Sequence, residues 1–144
     1  MDSPILRNGF RNSGVAVFMI FDTDVLIWCL RGNLLAARIV EETAVRGLSV
    51  VSYMELIQGA RNRKELGLIR SFLQDLHFRI HPLSESIGQR ASVYMEEYTL
   101  KSALALADAL VAATAVEVNE TLCTGNTKHF RTIAELDLKT FRPQ

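Results

Sequence analysis

The 144-residue sequence has few of the features that mark secreted or membrane proteins. It contains two cysteines and three prolines, and its apolar residues form no long run. The apolar stretch from residue 15 to 21 is too short to span a membrane. Two isolated cysteines exclude a disulfide framework, and neither has a Cys or His at the spacing of a zinc site. We therefore predict a cytoplasmic protein with reduced thiols and no membrane association.

Neither sign of charge dominates, since 16 basic residues balance 16 acidic ones. No overall charge therefore directs the chain to nucleic acid, and a site for a polyanion must be a local basic patch. A length of 144 residues suits a single hydrophobic core, so we expect one domain.

Strand-like and helix-like segments alternate along the chain, which predicts an α/β fold with a parallel sheet. Five segments rich in β-branched and aromatic residues predict strands, at 15–21, 48–51, 78–81, 121–124 and 138–141. Six segments with helical periodicity lie between them, at 24–30, 33–45, 52–61, 64–76, 84–98 and 107–118. The expected fold is a three-layer α/β/α sandwich with a central parallel sheet of four to five strands.

The first 18 residues lack this pattern. They are mostly polar and turn-forming, and they show no apolar period, which predicts a flexible arm at 1–18 and a folded domain at 19–144. Met19 offers an alternative start of the protein. We expect removal of the arm to leave folding intact.

Four polar residues stand in or directly after apolar stretches, namely Asp22, Glu55, Asp108 and Asn126. An unpaired charge is costly to bury in such surroundings, so the three acids need a common partner. Most of them follow a predicted strand, and a parallel sheet gathers the carboxyl ends of its strands into one crevice. A divalent cation with oxygen ligands is the natural occupant of such a crevice.

Each of these residues also has a purely structural explanation. Asp22 would cap the helix after the first strand, and Glu55 would close a capping box with Ser52. Asp108 near a helix N-terminus would be stabilised by the helix dipole, and Asn126 beside a glycine is typical of a turn. One shared metal site explains all of them together, and we favour it.

Four segments, in this order, resemble the motifs of PIN-domain ribonucleases. They are 20–27 (IFDTDVLI), 52–59 (SYMELIQG), 107–115 (ADALVAATA) and 124–130 (TGNTKHF). The second and third segments and the size of the chain are similar to VapC-type toxins of bacterial and archaeal toxin–antitoxin pairs. The resemblance spans about residues 19–142.

The resemblance implies roles for individual residues. Asp22, Glu55 and Asp108 match the three invariant acids and would hold Mg²⁺ or Mn²⁺. Asn126 falls where many members carry a fourth carboxylate, and it would complete the catalytic set. Asp24 and Thr124 would support the site without binding the metal directly.

The fourth motif departs from the commonest form of the family, because His129 stands where other members often have Asp. With fewer anions, a second metal is expected to bind weakly or only together with substrate phosphate. Taken alone, His129 is interpreted as a surface residue. Basic residues beside the second and fourth motifs would contact RNA phosphates, namely Arg61, Arg63, Lys64, Lys128 and Arg131.

The resemblance further implies a metal-dependent endoribonuclease that acts as a toxin and hydrolyses RNA with a metal-activated water. It also implies a homodimer and a VapB-like antitoxin whose C-terminal segment reaches the acidic site. Broad apolar faces on the helices predicted at 33–45 and 64–76 agree with such contacts.

Two other function classes compete with this one. The alternative is a catalytically weak PIN-like binding module in a regulatory complex, which the residues at 126 and 129 favour and the three retained acids disfavour. A receiver-like signalling domain would also gather Asp residues at strand ends around Mg²⁺. It needs a phosphoacceptor Asp at the end of a central third strand, and 78–82 supplies none, which disfavours it.

Overall fold

The computed structural model describes residues 17–144, and this part of the chain contains five strands and seven helices. In chain order the elements are β1 (Phe18–Phe21), α1 (Thr23–Leu30), α2 (Leu34–Glu42), β2 (Val45–Ser49), α3 (Val50–Gln58), α4 (Arg63–Asp75), β3 (Arg79–His81), α5 (Glu85–Tyr98), α6 (Leu106–Val118), β4 (Thr121–Thr124), α7 (Thr127–Phe130) and β5 (Leu138–Thr140).

The five strands form one sheet in the order β3-β2-β1-β4-β5, and every neighbouring pair is parallel. The prediction of a parallel α/β fold is therefore confirmed. The chain builds β2 and β3 on one side of β1 and then crosses over to build β4 and β5 on the other side. The carboxyl end of β1 consequently lies at the point where the strand order reverses, which is where open parallel sheets bind ligands.

Two hydrophobic clusters pack against opposite faces of the sheet. Ile20 of β1 belongs to the cluster formed with α5 and α6, while its neighbour Phe21 belongs to the cluster formed with α1, α2, α3 and α4. This alternation follows from the two-residue period of a strand, and it produces the predicted three-layer sandwich. No helix within residues 17–144 has the length and apolar character needed to cross a membrane.

Both cysteines are free thiols, in agreement with the sequence prediction. Cys123 is fully buried in β4, and burial raises the pKa of its thiol to about 12. It is therefore a packing residue and a poor nucleophile.

The second strand begins earlier than the sequence predicted. The strand is Val45–Ser49, whereas the sequence predicts a helix up to Val45 and a strand at 48–51. The Ser49 hydroxyl accepts a hydrogen bond from the Val51 amide at 3.0 Å and caps α3, so Val50 and Val51 begin a helix. Their β-branched side chains favour a strand locally, but the cap and the packing of α3 decide the outcome.

Arg46 explains why a basic residue stands inside β2. Its guanidinium donates to the carbonyl oxygens of Val40 and Glu41 in α2 and of Leu76 after α4. These carbonyls lie at helix C-termini, where they carry partial negative charge, and that of Val40 also accepts a hydrogen bond from the Thr43 amide. Arg46 therefore joins the ends of two helices to the sheet.

Residues 1–16 lie outside the described part of the chain, and for them the flexible arm remains a prediction. Val17 and Phe18 fall in both the predicted arm, 1–18, and the predicted strand, 15–21, and the structure favours the second assignment. The Val17 carbonyl accepts a hydrogen bond from the Val45 amide at 3.1 Å, and the Arg79 guanidinium lies 5.7 Å from the centre of the Phe18 ring. Val17 and Phe18 are therefore part of the folded domain.

These contacts change the expected effect of shortening the chain. We expect a chain that starts at Met19 to be less stable by about 1–2 kcal/mol than one that starts at Val17, because it lacks one backbone hydrogen bond and one cation–π contact. Urea unfolding of the two shortened chains measures this difference. Equal unfolding free energies would show that Val17 and Phe18 contribute nothing.

Candidate functional site

Asp22 lies between the end of β1 and the start of α1, and it is only 7% exposed. Its Oδ1 accepts a hydrogen bond from the Thr23 amide at 2.9 Å, and its Oδ2 accepts one from the Thr124 hydroxyl at 2.8 Å. Burial, and then the charges of Asp24 and Asp108, raise the pKa of Asp22 to about 7. Asp22 is therefore both the predicted helix cap and a buried acid with a strongly altered proton affinity.

Asp24 joins the turn after β1 to the turn after β4. Its Oδ1 accepts a hydrogen bond from the Val25 amide at 2.8 Å, and its Oδ2 accepts one from the Gly125 amide at 2.9 Å. Burial, with a smaller contribution from the Asp108 charge, raises the pKa of Asp24. A Cβ atom at position 125 would lie 2.6 Å from Asp24 Oδ2, so only glycine permits this approach.

Thr124, the last residue of β4, is fully buried and connects the first and fourth motifs. Its hydroxyl donates to Asp22 Oδ2 and accepts from the Asn126 amide at 3.0 Å. The Asn126 side chain is exposed and makes no capping hydrogen bond to α7. Asn126 therefore stands at the rim of the site with its side-chain amide available.

Glu55 lies within α3, in agreement with the helix predicted at 52–61, but its side chain is exposed, whereas its apolar surroundings in the sequence predicted burial. Its Oε1 accepts a hydrogen bond from the Thr23 hydroxyl at 2.5 Å. The capping box is wrong, because Ser49 is the cap of α3 and the Ser52 hydroxyl is buried without a hydrogen-bond partner. Sequence reasoning missed Thr23, although its place directly after Asp22 could have indicated it.

Asp108 occupies the third position of α6, close to the helix N-terminus as the structural explanation predicted. Its Oδ2 accepts a hydrogen bond from the Ala105 amide at 2.9 Å, and its side chain is 18% exposed. His129 Nδ1 lies 3.3 Å from the same Oδ2. The interpretation of His129 as a plain surface residue is wrong, because its side chain is 29% exposed and contacts an acid of the site.

These contacts bring the four motif segments together at the carboxyl edge of the sheet. The first segment contacts the second through Thr23 and Glu55, and it contacts the fourth through Asp22 and Thr124. The third contacts the fourth through Asp108 and His129. Of the three predicted acidic ligands and Asn126, only Asp22 is buried. Glu55 and Asp108 lie on helices, and Asn126 lies in the turn before α7.

The donor set suits a small divalent cation. No three His, Cys, Asp or Glu side chains within residues 17–144 converge closely enough to form a complete cage. Mg²⁺ needs only one or two protein carboxylates, however, and keeps several water ligands. The pKa of Asp22 is raised because burial and the charges of Asp24 and Asp108 disfavour its ionised form. A bound cation would favour the ionised form again. One or two of the acids Asp22, Glu55 and Asp108 are the candidates for this role.

The predicted RNA-contacting residues fall into two groups. Arg61 precedes α4 and pairs with Glu65 at 2.6 Å. The remaining members are exposed, at the start of α4 or on and beside α7, and they are Arg63, Lys64, Lys128 and Arg131. Only Lys128 and Arg131 lie close to Asn126 in the chain. Arg61 must leave the Glu65 carboxylate before it can contact a phosphate.

Comparison with known proteins agrees with this geometry. The PIN domain family model matches residues 19–136. A toxin–antitoxin complex from Klebsiella pneumoniae contains a chain that is 30% identical with a TM-score of 0.69, over 85% of this chain and 96% of that one. VapBC2 from Rickettsia felis, bound to a DNA fragment from its promoter, gives 18% identity and a TM-score of 0.74, over 88% of this chain and 100% of that one.

FitAcB from Neisseria gonorrhoeae gives 24% identity and a TM-score of 0.67, over 84% of this chain and 96% of that one. No curated protein matches the sequence. The family model covers most of the chain and all three acids, and the structural neighbours share the whole fold. We conclude that this chain belongs to the PIN domain family and has the fold of the VapC-type toxins.

Proposed function

We propose that this protein is a metal-dependent endoribonuclease and the toxin of a toxin–antitoxin pair. The observation that carries this proposal is the buried Asp22, which is hydrogen-bonded from two motifs and lies near the charges of Asp24 and Asp108. Buried acids with strongly shifted pKa values cluster at functional sites, because a stable fold alone does not favour them.

The chain supplies oxygen ligands and holds them in place. Mg²⁺ or Mn²⁺ bound here would supply an activated water and neutralise charge on the scissile phosphate. Asp22, Glu55 and Asp108 would hold the ion, and Thr124 and the Thr23 amide fix the orientation of the Asp22 carboxylate. Within the described residues, Glu55 Oε2 and Asp108 Oδ1 accept no hydrogen bond, and these oxygens would bind the ion.

The fourth motif would contact the substrate. Asn126 presents a neutral amide at the rim of the site, where it would bind the phosphate or the attacking water without adding charge. Lys128 and Arg131 follow on the exposed side of α7 and would contact RNA phosphates, which strengthens binding more than it selects a sequence. With few anions in the site, a single metal is the expected stoichiometry.

The proposed partner is a VapB-like antitoxin. The solved complexes that resemble this chain are described as toxin–antitoxin complexes or as VapBC bound to promoter DNA. By this likeness we propose that the protein forms a homodimer, is inhibited by its antitoxin, and acts on cellular RNA in the cytoplasm.

Cleavage of total RNA by the protein freed of antitoxin tests the function. We expect fragments to appear with Mg²⁺ or Mn²⁺, to disappear with EDTA, and to reappear when excess metal is restored, because the nucleophile is a water activated by the ion. Asp108→Asn serves as the matched inactive control. Cleavage that continues unchanged in EDTA would overturn the metal mechanism, and binding of RNA without any cleavage would favour the catalytically weak binding module.

A further inference from the structure

His129 contacts Asp108 in a way that the motif comparison does not explain. Its Nδ1 lies 3.3 Å from Asp108 Oδ2, the same oxygen that accepts a hydrogen bond from the Ala105 amide. The next residue, Phe130, is fully buried in the core, and it anchors the short helix α7 that carries His129. The backbone of α7 is therefore anchored beside Asp108, and the imidazole contacts this acid.

We propose that His129 is a positioning residue for Asp108, a role that rests on the proposed nuclease function. In the occupied site its Nδ1–H would donate to Asp108 Oδ2, which would then be held from two sides and leave Oδ1 as the ligand atom. In this structure the two atoms are in contact without forming that hydrogen bond. The distance is slightly longer than that of a well-formed N–H···O bond. Contacts of this kind in catalytic sites often shorten when substrate binds.

The other acids at the crevice show why Asp108 needs this contact. Asp22 and Asp24 each have both carboxylate oxygens hydrogen-bonded, and one of the two donors comes from the turn at the end of β4. Without His129, Asp108 would be held only by a backbone amide from the start of its own helix. A partly exposed Asp side chain with one local hydrogen bond can rotate, and metal ligands bind more weakly when their orientation is free.

A histidine at position 129 cannot play the part of the acid that other members of the family often have there. A carboxylate at this place would put a second negative charge about as close to Asp108 Oδ2 and would offer no donor. An imidazole offers a donor from Nδ1 in its neutral form, so the contact does not depend on a charge.

Three neutral substitutions isolate the hydrogen bond. Asn places an amide donor near the position of Nδ1, Gln places it near Nε2, and Leu has no donor. We expect His129→Leu and His129→Gln to weaken Mn²⁺ binding about tenfold in calorimetric titrations without RNA, because the ligand has lost its support. The kcat for RNA cleavage should fall by a similar factor with little change in KM, and His129→Asn should restore both quantities to nearly the wild-type values.

The outcomes distinguish this proposal from the function on which it rests. Wild-type protein that neither binds Mn²⁺ nor cleaves RNA would overturn the proposed function, and the positioning role with it. If wild type is active and all three variants match it, or if Asn is as impaired as Leu, the positioning role alone is overturned. Tighter Mn²⁺ binding in every variant would show that His129 opposes the metal by its charge. If His129→Leu does not fold, the comparison of Asn with Gln decides.

Discussion

Replacement of Asp22 by Asn is expected to reduce RNA cleavage at least about a hundredfold and to stabilise the metal-free protein at neutral pH. Activity falls because the substitution removes a negative ligand of the proposed ion. Stability rises because the carboxyl is buried near Asp24 and Asp108, and its charged form is unfavourable there. Asn keeps an oxygen that accepts from the Thr23 amide, so the cap of α1 is preserved.

The stability gain should depend on pH in one direction. The folded protein holds the Asp22 proton up to about pH 7, whereas the unfolded chain releases it near pH 3.8. Between these values the folded state binds more protons, so the free energy of unfolding of the wild type falls as pH rises. The gain in unfolding free energy from Asp22→Asn should therefore be smallest near pH 4 and grow up to about pH 7. Above pH 7 it should stay constant at a few kcal/mol, the size expected for such a pKa shift.

Calorimetry in EDTA at pH 4, 6 and 8 measures this effect. Asp75→Asn is the matched control, because Asp75 is exposed at the end of α4 and should show no such trend. An Asp22→Asn protein that melts earlier at every pH and still cleaves RNA would show that Asp22 is only a helix cap.

Replacement of Gly125 by Ala is expected to destabilise the fold by about 1–3 kcal/mol and to impair cleavage strongly. The added Cβ would lie 2.6 Å from Asp24 Oδ2 and 3.3 Å from the Phe141 carbonyl oxygen. Asp24 cannot move aside freely, because both of its oxygens are hydrogen-bonded to backbone amides. The turn that carries Asn126 must shift instead, and the contacts at the start of the fourth motif shift with it.

A mutant cycle locates the clash. In an Asp24→Ala background the side chain that blocks the new Cβ is gone, so Gly125→Ala should cost clearly less. Gly67→Ala in α4 is the matched control, because no atom lies within 4 Å of a Cβ there and alanine favours the helix by up to about 1 kcal/mol. An equal loss of stability in both Asp24 backgrounds would show that backbone crowding at Phe141, and not Asp24, limits position 125.

The sequence was sufficient to predict the elements that depend on local pattern. The apolar run that contains Ile20 and Phe21 predicted the central strand, and the order of the motifs predicted that Asp22 and the turn after β4 would meet. Both expectations follow from periodicity and from the geometry of parallel sheets. The start of β2 could not be predicted from such local patterns. Arg46 in this strand binds three carbonyl groups of other elements, one of them 30 residues away along the chain.

The finer arrangement of the site depends on tertiary contacts that no short pattern contains. Nothing adjacent to His129 in the chain indicates that it meets Asp108, since the lengths of α6, β4 and the intervening turns determine this distance. The exposure of Glu55 is also set by the fold. The cap of α3 is Ser49, about one turn before the predicted cap Ser52, and this start places Glu55 on the exposed side of the helix. Local signals placed each residue on an element, and packing determined which face it occupies.

The strand order has a consequence for synthesis of the protein on the ribosome. Strand β1 is synthesised first, and its neighbour β4 is synthesised much later. Thr124 at the end of β4 follows its hydrogen-bond partner Asp22, the residue after β1, by 102 residues. Contacts of such large sequence separation form slowly and only after both segments are available. A nascent chain therefore has no assembled acidic crevice until nearly its whole length has emerged, so premature termination before β4 should release fragments that are harmless as nucleases.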